Sequence, residues 1–331
     1  MPEVRSLVLL LVVAAALAAG GCATSTGSDR PDSDVTLLLD FQPNGVHAGI
    51  FLAAARGYDD AEGVRMKIRT PGASTDALRA LRTGRAAYAI LDIHDLGLAR
   101  QRGADVVGVM AVVQRPLAAV IAQPGIRAPR DLEGERVGVT GLPSDDAVLR
   151  SVVRGGGGDP ARVRRTTIGF EAVKALLAGR VQAATAFWSA EGVALRERRP
   201  GFREFRVDDY GAPAYPELVL CTTRERLQDS PEEARALIRA LQRGYGETQR
   251  DPESAVTAMV DREPSLDRAT VAAELDAVAP AFSAGAPAYG ALDPGRLRRW
   301  SAWDVEFGIL DRPVDVAQAF DTRLVGRVEN P

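Results

Sequence analysis

The sequence predicts an α/β protein folded as two lobes, and three features carry that expectation. From Val35 onward, short apolar runs alternate with stretches whose apolar positions recur with a period near 3.6, the rhythm of strands and helices in turn. The alternation restarts after "RPLAAVIAQ", so a second α/β unit follows the first. Beyond residue 223 the pattern turns helical, which suits a chain that returns to complete its first unit. With 331 residues, 46% of them hydrophobic, the chain can bury a large core.

The elements follow in order. Arg5 precedes the apolar stretch "SLVLLLVVAAALAA", and "AGGC" closes it with small residues before a cysteine, so residues 1–22 read as an export signal. Small residues before Cys22 resemble a lipobox, which makes Cys22 the expected lipidation site and membrane anchor, although Ala19 stands where Leu or Val is usual. Residues 23–34 are rich in Ser, Asp and Gly and read as a flexible tether.

"VTLLLDF" reads as a buried strand, and "HAGIFLAAARG" as a helix that sets Ile50, Phe51 and Ala54 on one face and stops at Gly57. "VRMKIRT" is a strand; "STDALRALRTG" is a helix capped by Ser74 or Thr75 and ended by Gly84; "AYAIL" and "DVVGVMAVV" are strands flanking the helix "DLGLARQRG". In the second unit "RDLEGERVGVTG" carries a strand, "LPSDDAVLRSVVRGGGG" a helix and loop, "FEAVKALLAGRVQAATAF" a helix and strand, and "PELVLCTT" a last strand. A mostly parallel sheet is expected from this order, with extended crossings between lobes near residues 114–122 and 216–222. Lobe one is therefore placed at 35–118 plus 223–331 and lobe two at 119–222, a clamp with a ligand cleft between.

Several classes of function are disfavoured. A net charge of −3 with both signs interspersed offers no basic face for nucleic acid. Beyond Cys22 a single cysteine, Cys221, lies in an apolar run and reads as a small buried hydrophobe, so no disulfide framework or metal-ligand spacing is present. "RGGGGDP" lacks the Lys and Ser/Thr of a phosphate-cradling loop, and neither G-x-S-x-G nor a paired-histidine metal motif occurs.

The blocks "LDFQPNGVHAGIFLAAARGY", "VVQRPLAAVIA", "DLEGERVGVTGLPSDDAVL", "FWSAEGVAL" and "DYGAPAYPELVL", in this order over about residues 35–260, resemble the thiamine-pyrimidine-precursor-binding proteins. These are substrate-binding lipoproteins of ABC importers and share a fold family with hydroxymethylpyrimidine phosphate synthase. The resemblance implies a type II periplasmic-binding-protein fold with a pyrimidine or related heteroaromatic in the cleft. It also implies an ABC permease with its ATPase as partner, and an extracytoplasmic receptor that works as a monomer without cofactor. By the same resemblance Pro43, Asn44, His47, Trp188 and Glu191 match the family's pocket blocks, whereas Phe41 stands where Trp is typical and Ser189 where Asn is typical.

Elementary chemistry gives these positions compatible roles. Phe41, Trp188 and Tyr215 can offer faces to a flat ring, and Glu191 can bridge the amino group and ring nitrogen of an aminopyrimidine. Asn44 and His47, at the start of the first helix, can supply hydrogen bonds, His47 as a wall of the pocket. Each has a plainer alternative: core packing for Phe41, helix capping for Asn44, a structural role for His47 and a solvated helix start for Glu191. Trp188 and Glu191, three apart, can share one helical face. Asp92 and His94 follow a strand at its carboxyl end, where open α/β sheets place ligands. Ser144 is the expected cap of the helix opened by "GLPSDD", whose amides could hold an anion; Asp145 and Asp146 oppose a phosphorylated one.

Alternatives remain within and beyond binding. The same fold serves receptors for sulfonates, nitrate or a flavin-type ring, although an anion pocket would not place Glu191 in its cleft. The synthase relative uses a lysine-bound pyridoxal phosphate and its own histidine, and here the two lysines, Lys67 and Lys174, fall outside the first-helix block, so an enzyme is not expected.

Overall fold

The computed structural model describes residues 33–72 and 76–325. The export signal, Cys22, most of the tether and the expected caps Ser74 and Thr75 lie outside the described residues. Ser33 and Asp34, expected in the tether, already pair with Val64 and Arg65 and so begin the first strand.

Among the described residues ten strands form two five-stranded sheets. The first comprises β1 (Ser33–Leu38), β2 (Val64–Arg69), β3 (Tyr88–Asp92), β4 (Val106–Ala111) and β10 (Leu218–Thr223), ordered β2-β1-β3-β10-β4. The second comprises β5 (Ala118–Ala122), β6 (Arg136–Val139), β7 (Arg164–Thr167), β8 (Ala183–Phe187) and β9 (Arg203–Arg206), ordered β7-β6-β8-β5-β9. Both sheets are mixed rather than mostly parallel. β1 is parallel to β2 and β3, and β6 to β7 and β8, but β10 runs antiparallel between β3 and β4, and β5 antiparallel between β8 and β9.

The two antiparallel strands are the ones that arrive from the other lobe. Ala118–Ala122 and Leu218–Thr223, read from the sequence as crossings, are interior members of the sheets they enter. An all-apolar strand leaves its amide and carbonyl groups buried and must find ladder partners on both edges, which a free hinge cannot offer. The chain instead changes lobe through residues 112–117 and 211–217, since the turn Val207–Tyr210 still packs on the second lobe. β10 accordingly sits in the first sheet, which moves the expected end of lobe two from residue 222 back to before Leu218.

The carboxyl-terminal helices pack on the first lobe. Helix Pro231–Arg250 buries Leu237, Leu241 and Tyr245 against helix Ala48–Ala55, where Ile50, Phe51 and Leu52 are also buried. The two helices approach backbone to backbone: a Cβ on Gly49 would strike the Tyr245 ring, and one on Gly244 would strike the Gly49 carbonyl. Tyr245 donates its hydroxyl to Val46 O at 2.8 Å, and Gly45 N donates to Glu274 Oε2 at 3.0 Å from helix Arg268–Val278. The loop that opens the cleft is thus held from behind by the last third of the chain. No described helix is long and apolar enough to cross a membrane.

Candidate functional site

A cleft of about 1150 Å³, counted with its open mouth, is lined from both sheets. The first lobe gives it Asp40, Phe41 and Asn44 after β1, Asp92, His94 and Asp95 at the end of β3, and Glu217 before β10. The second gives Thr140, Ser144 and Asp145 after β6, Phe170 after β7, and Thr185, Phe187 and Glu191 around β8. Nearly all of these positions follow a strand's carboxyl end, the edge where open α/β sheets present ligand-binding loops.

Of the residues picked from the sequence, Phe41, Asn44, Asp92, Ser144 and Glu191 line this cleft together; His47, Trp188 and Tyr215 do not. Asn44 also takes the plainer role foreseen for it. Its Oδ1 accepts from Val46 N at 3.1 Å, capping the short 3₁₀ turn Gly45–His47. His47 is fully buried behind the wall rather than part of it. Its Nδ1 accepts from Asn44 N at 3.2 Å, so Nε2 carries the proton and donates to Asp40 Oδ1 at 2.8 Å. The histidine therefore positions Asp40, which does face the cleft.

Trp188 corrects the assumption of shared helical spacing. Residues 188–190 form a turn after β8, and Glu191 is the first residue of helix Glu191–Arg198, so the two side chains do not share a face. Trp188, 2% exposed, donates Nε1–H to Pro116 O at 3.1 Å and carries the Arg206 guanidinium 4.0 Å above its ring. It packs under the first crossing. Tyr215 is likewise fully buried, its hydroxyl 3.3 Å from His94 Nε2. Ser144 is not the expected cap, because helix Pro143–Gly155 begins at Pro143 with Leu142 before it. Proline contributes no amide there, which weakens the anion site that "GLPSDD" suggested.

The aromatic surface comes partly from elsewhere. Phe41 and Phe170 meet across the lobes with ring centroids 5.7 Å apart, and Phe187 lines the cleft beside Glu191. Phe170 is 47% exposed, the one large apolar side chain so exposed among the described residues. Its place directly after a strand was the available sign; the run "FEAVKALL" read as a helix start and hid it.

The electrostatics are one-sided. Asp40, Asp92, Asp95, Asp145, Glu191 and Glu217 line the cleft, and no Lys or Arg does so among the described residues. Burial pushes the carboxyls of Asp92, Asp95, Asp145, Glu191 and Glu217 above the usual range. Glu191 Oε2 accepts from Phe187 N at 3.1 Å, and Asp145 Oδ2 accepts from Thr140 N at 2.6 Å and from the Thr140 hydroxyl. Glu217 joins the two crossings, its Oε2 accepting from Leu117 N at 2.7 Å and Ala118 N at 3.1 Å.

At the floor, Asp92, His94 and Glu217 bring one ligand atom each within 4.8 Å of one another, a donor set a divalent cation could use. Burial opposes charge on His94, but Asp304, 2.8 Å from Nδ1, with Asp92 and Glu217, outweighs it and raises its pKa to about 10. Cys221 is fully buried in β10 and burial pushes its thiol up, so it is no nucleophile.

With this geometry in place the comparisons with known proteins are informative. The family model described as NMT1/THI5 like matches residues 44–255. The chain belongs to that family. It is 30% identical over 263 residues to the formylaminopyrimidine-binding protein of Halalkalibacterium halodurans, covering 78% of this chain and 80% of that one. It is 24% identical over 247 residues to the 4-amino-5-hydroxymethyl-2-methylpyrimidine phosphate synthase THI5 of Saccharomyces cerevisiae, covering 70% and 72%. Among solved structures, the periplasmic aliphatic sulphonate binding protein SsuA of Escherichia coli superposes with a TM-score of 0.71 at 16% identity, over 87% of this chain and 97% of the other. The fold of this NMT1/THI5-like chain is therefore that of the type II periplasmic binding proteins, as the resemblance implied.

Proposed function

We propose that this NMT1/THI5-like protein is an extracytoplasmic receptor of an ABC importer that holds a thiamine pyrimidine precursor, of aminomethyl- or formylaminopyrimidine type, and delivers it to its permease. The observation that carries the reading is Glu191. Its carboxylate lines the interlobe cleft beside Phe187, with Phe41 and Phe170 offering faces for a flat ring. An aminopyrimidine presents an amino donor beside a ring nitrogen, and a carboxyl meets that edge with paired hydrogen bonds, accepting from the amino group and sharing one proton with the ring nitrogen. The Halalkalibacterium halodurans relative, named for a formylaminopyrimidine, supports the ligand class.

The rival readings fit less well. A sulfonate or nitrate would enter a cleft of six carboxylates with no facing Lys or Arg among the described residues. A synthase of the lysine-dependent kind would need a lysine at the cleft, yet Lys67 lies on β2 paired with Asp34, and Lys174 on helix Ala172–Leu177 is paired with Glu171. Binding without turnover is the role proposed. Anchoring through a lipid on Cys22 and action as a monomer belong to the same proposal.

Calorimetric titration with aminomethyl- and formylaminomethylpyrimidine, riboflavin, taurine and nitrate tests it. Either pyrimidine should bind, and Glu191→Gln should weaken it by about 1.5–3 kcal/mol, the range for a hydrogen bond to a charged group. Saturable binding of taurine or nitrate with no response to either pyrimidine would refute the reading.

A further inference from the structure

The carboxylates of the cleft divide into two groups with different fates. The floor group, Asp92 and Glu217 with Asp304 behind, surrounds His94. The upper group has no such partner. Asp40 stands on the first lobe, Asp145 and Glu191 on the second, and both aspartates lie near enough to oppose ionisation of Glu191. Asp40 receives one hydrogen bond from His47, Asp145 those of Thr140 with the Thr185 hydroxyl close by, and Glu191 that of Phe187 N. No guanidinium or ammonium of the described residues lines the cleft to neutralise them. Beside Asp145 the hydroxyl of Thr185, 3% exposed and also lining the cleft, is buried without a well-formed hydrogen bond.

We infer that the cleft is built for a ligand bearing a positive charge, a protonated amine held between Asp40 of one lobe and Asp145 of the other, with Thr185 as an additional acceptor, while Glu191 keeps the ring edge. The inference rests on the pyrimidine reading and selects within it the ammonium form over the neutral, formylated one. Like charges brought together by two lobes repel in the empty cleft, and an ammonium among them turns that repulsion into charge-assisted hydrogen bonds. Phe41 and Phe170 strengthen the preference, since aromatic faces attract a cation. A neutral amide in the same place would leave the carboxylates uncompensated.

The experiment compares three pyrimidines that differ at one substituent: 5-aminomethyl, an ammonium at neutral pH, against the neutral 5-formylaminomethyl and 5-hydroxymethyl forms, each of 4-amino-2-methylpyrimidine. Titrations at low and high salt should show the ammonium form at least about tenfold tighter, with an advantage that shrinks as salt rises. Asp145→Asn should reduce the ratio of ammonium to neutral affinity several-fold. Because Asp145 also accepts from the Thr140 backbone, Asp40→Asn serves as the second variant and should reduce the same ratio while its amide oxygen can still accept from His47. Equal or tighter binding of the formylated ligand, or an unchanged affinity ratio in both variants, overturns the inference and leaves the pyrimidine reading standing. Failure of all three ligands to bind overturns both.

Discussion

Glu274 sits where the carboxyl-terminal helices brace the cleft, and its environment makes a pH-dependent stability that can be isolated. The side chain is 9% exposed and accepts from Gly45 N at 3.0 Å. Burial raises its pKa from 4.5 to about 7; the Gly45 amide lowers it in part, while Glu191 and Glu197 add to the rise. Below pH 4.5 the carboxyl is protonated in both folded and unfolded chains. Between that value and about 7 the unfolded chain ionises while the folded one keeps its proton, so stability falls as pH rises, and above about 7 the loss is complete. The difference amounts to about 3 kcal/mol at most. Glu274→Gln keeps an oxygen for Gly45 and carries no charge at any pH. Urea unfolding of both proteins should give curves that agree near pH 4.5 and separate in favour of the variant by up to about 3 kcal/mol near pH 8. Other buried carboxyls tilt both curves alike, so only the separation matters. Parallel curves across that range would show that Glu274 is not held protonated behind the cleft.

Two further substitutions separate packing from binding. Trp188→Ala should cost about 3–5 kcal/mol of stability, because a buried indole and its bond to Pro116 are lost. Phe170→Ala should change stability by no more than about 0.5 kcal/mol yet weaken a pyrimidine by about 0.5–1.5 kcal/mol, read by denaturation and titration on the same samples; the opposite pattern would return Trp188 to the cleft. Gly49→Ala forces a methyl into the Tyr245 ring and should cost about 1–3 kcal/mol in a thermal or urea melt, whereas an unchanged midpoint would mean that the two helices do not meet so closely.

What could be read from the residues follows the range of the forces involved. The alternation of strand and helix is a local pattern, and it located the strands of the first sheet and the return of the chain after residue 223, while the short polar strands β7 and β9 of the second sheet left no such trace. Whether an apolar strand runs parallel or antiparallel depends on partners far away in sequence, and β5 and β10 show that a run such as "LVLCTT" does not declare which sheet it joins. The site divides the same way. Asp92 was found because strand ends are visible in the pattern, and Glu191 because its block resembles a family. Asp40, Asp145, Thr185 and Glu217 stayed unseen as a group, since nothing local distinguishes a carboxylate facing a cleft from one facing water. Trp188 and Tyr215 were misjudged for the converse reason: large aromatic side chains near a cleft supply its support as readily as its lining.

The arrangement of charge also bears on how occupancy of the cleft could reach a partner. A ligand shifts a conformational balance only by contacting one state more favourably than another, and here the contacts that differ are those needing both lobes at once. Asp40 and Phe41 belong to one lobe, Asp145, Phe170 and Glu191 to the other, so a ring with a cationic substituent satisfies them together only when the lobes are close. Glu217 is fixed to both crossings by its bonds to Leu117 and Ala118, and through His94 it is tied to Asp304 on helix Pro294–Glu306. On the proposed reading, a cationic ring that joins the upper carboxylates of both lobes would let ligand charge, rather than apolar burial alone, favour the closed form.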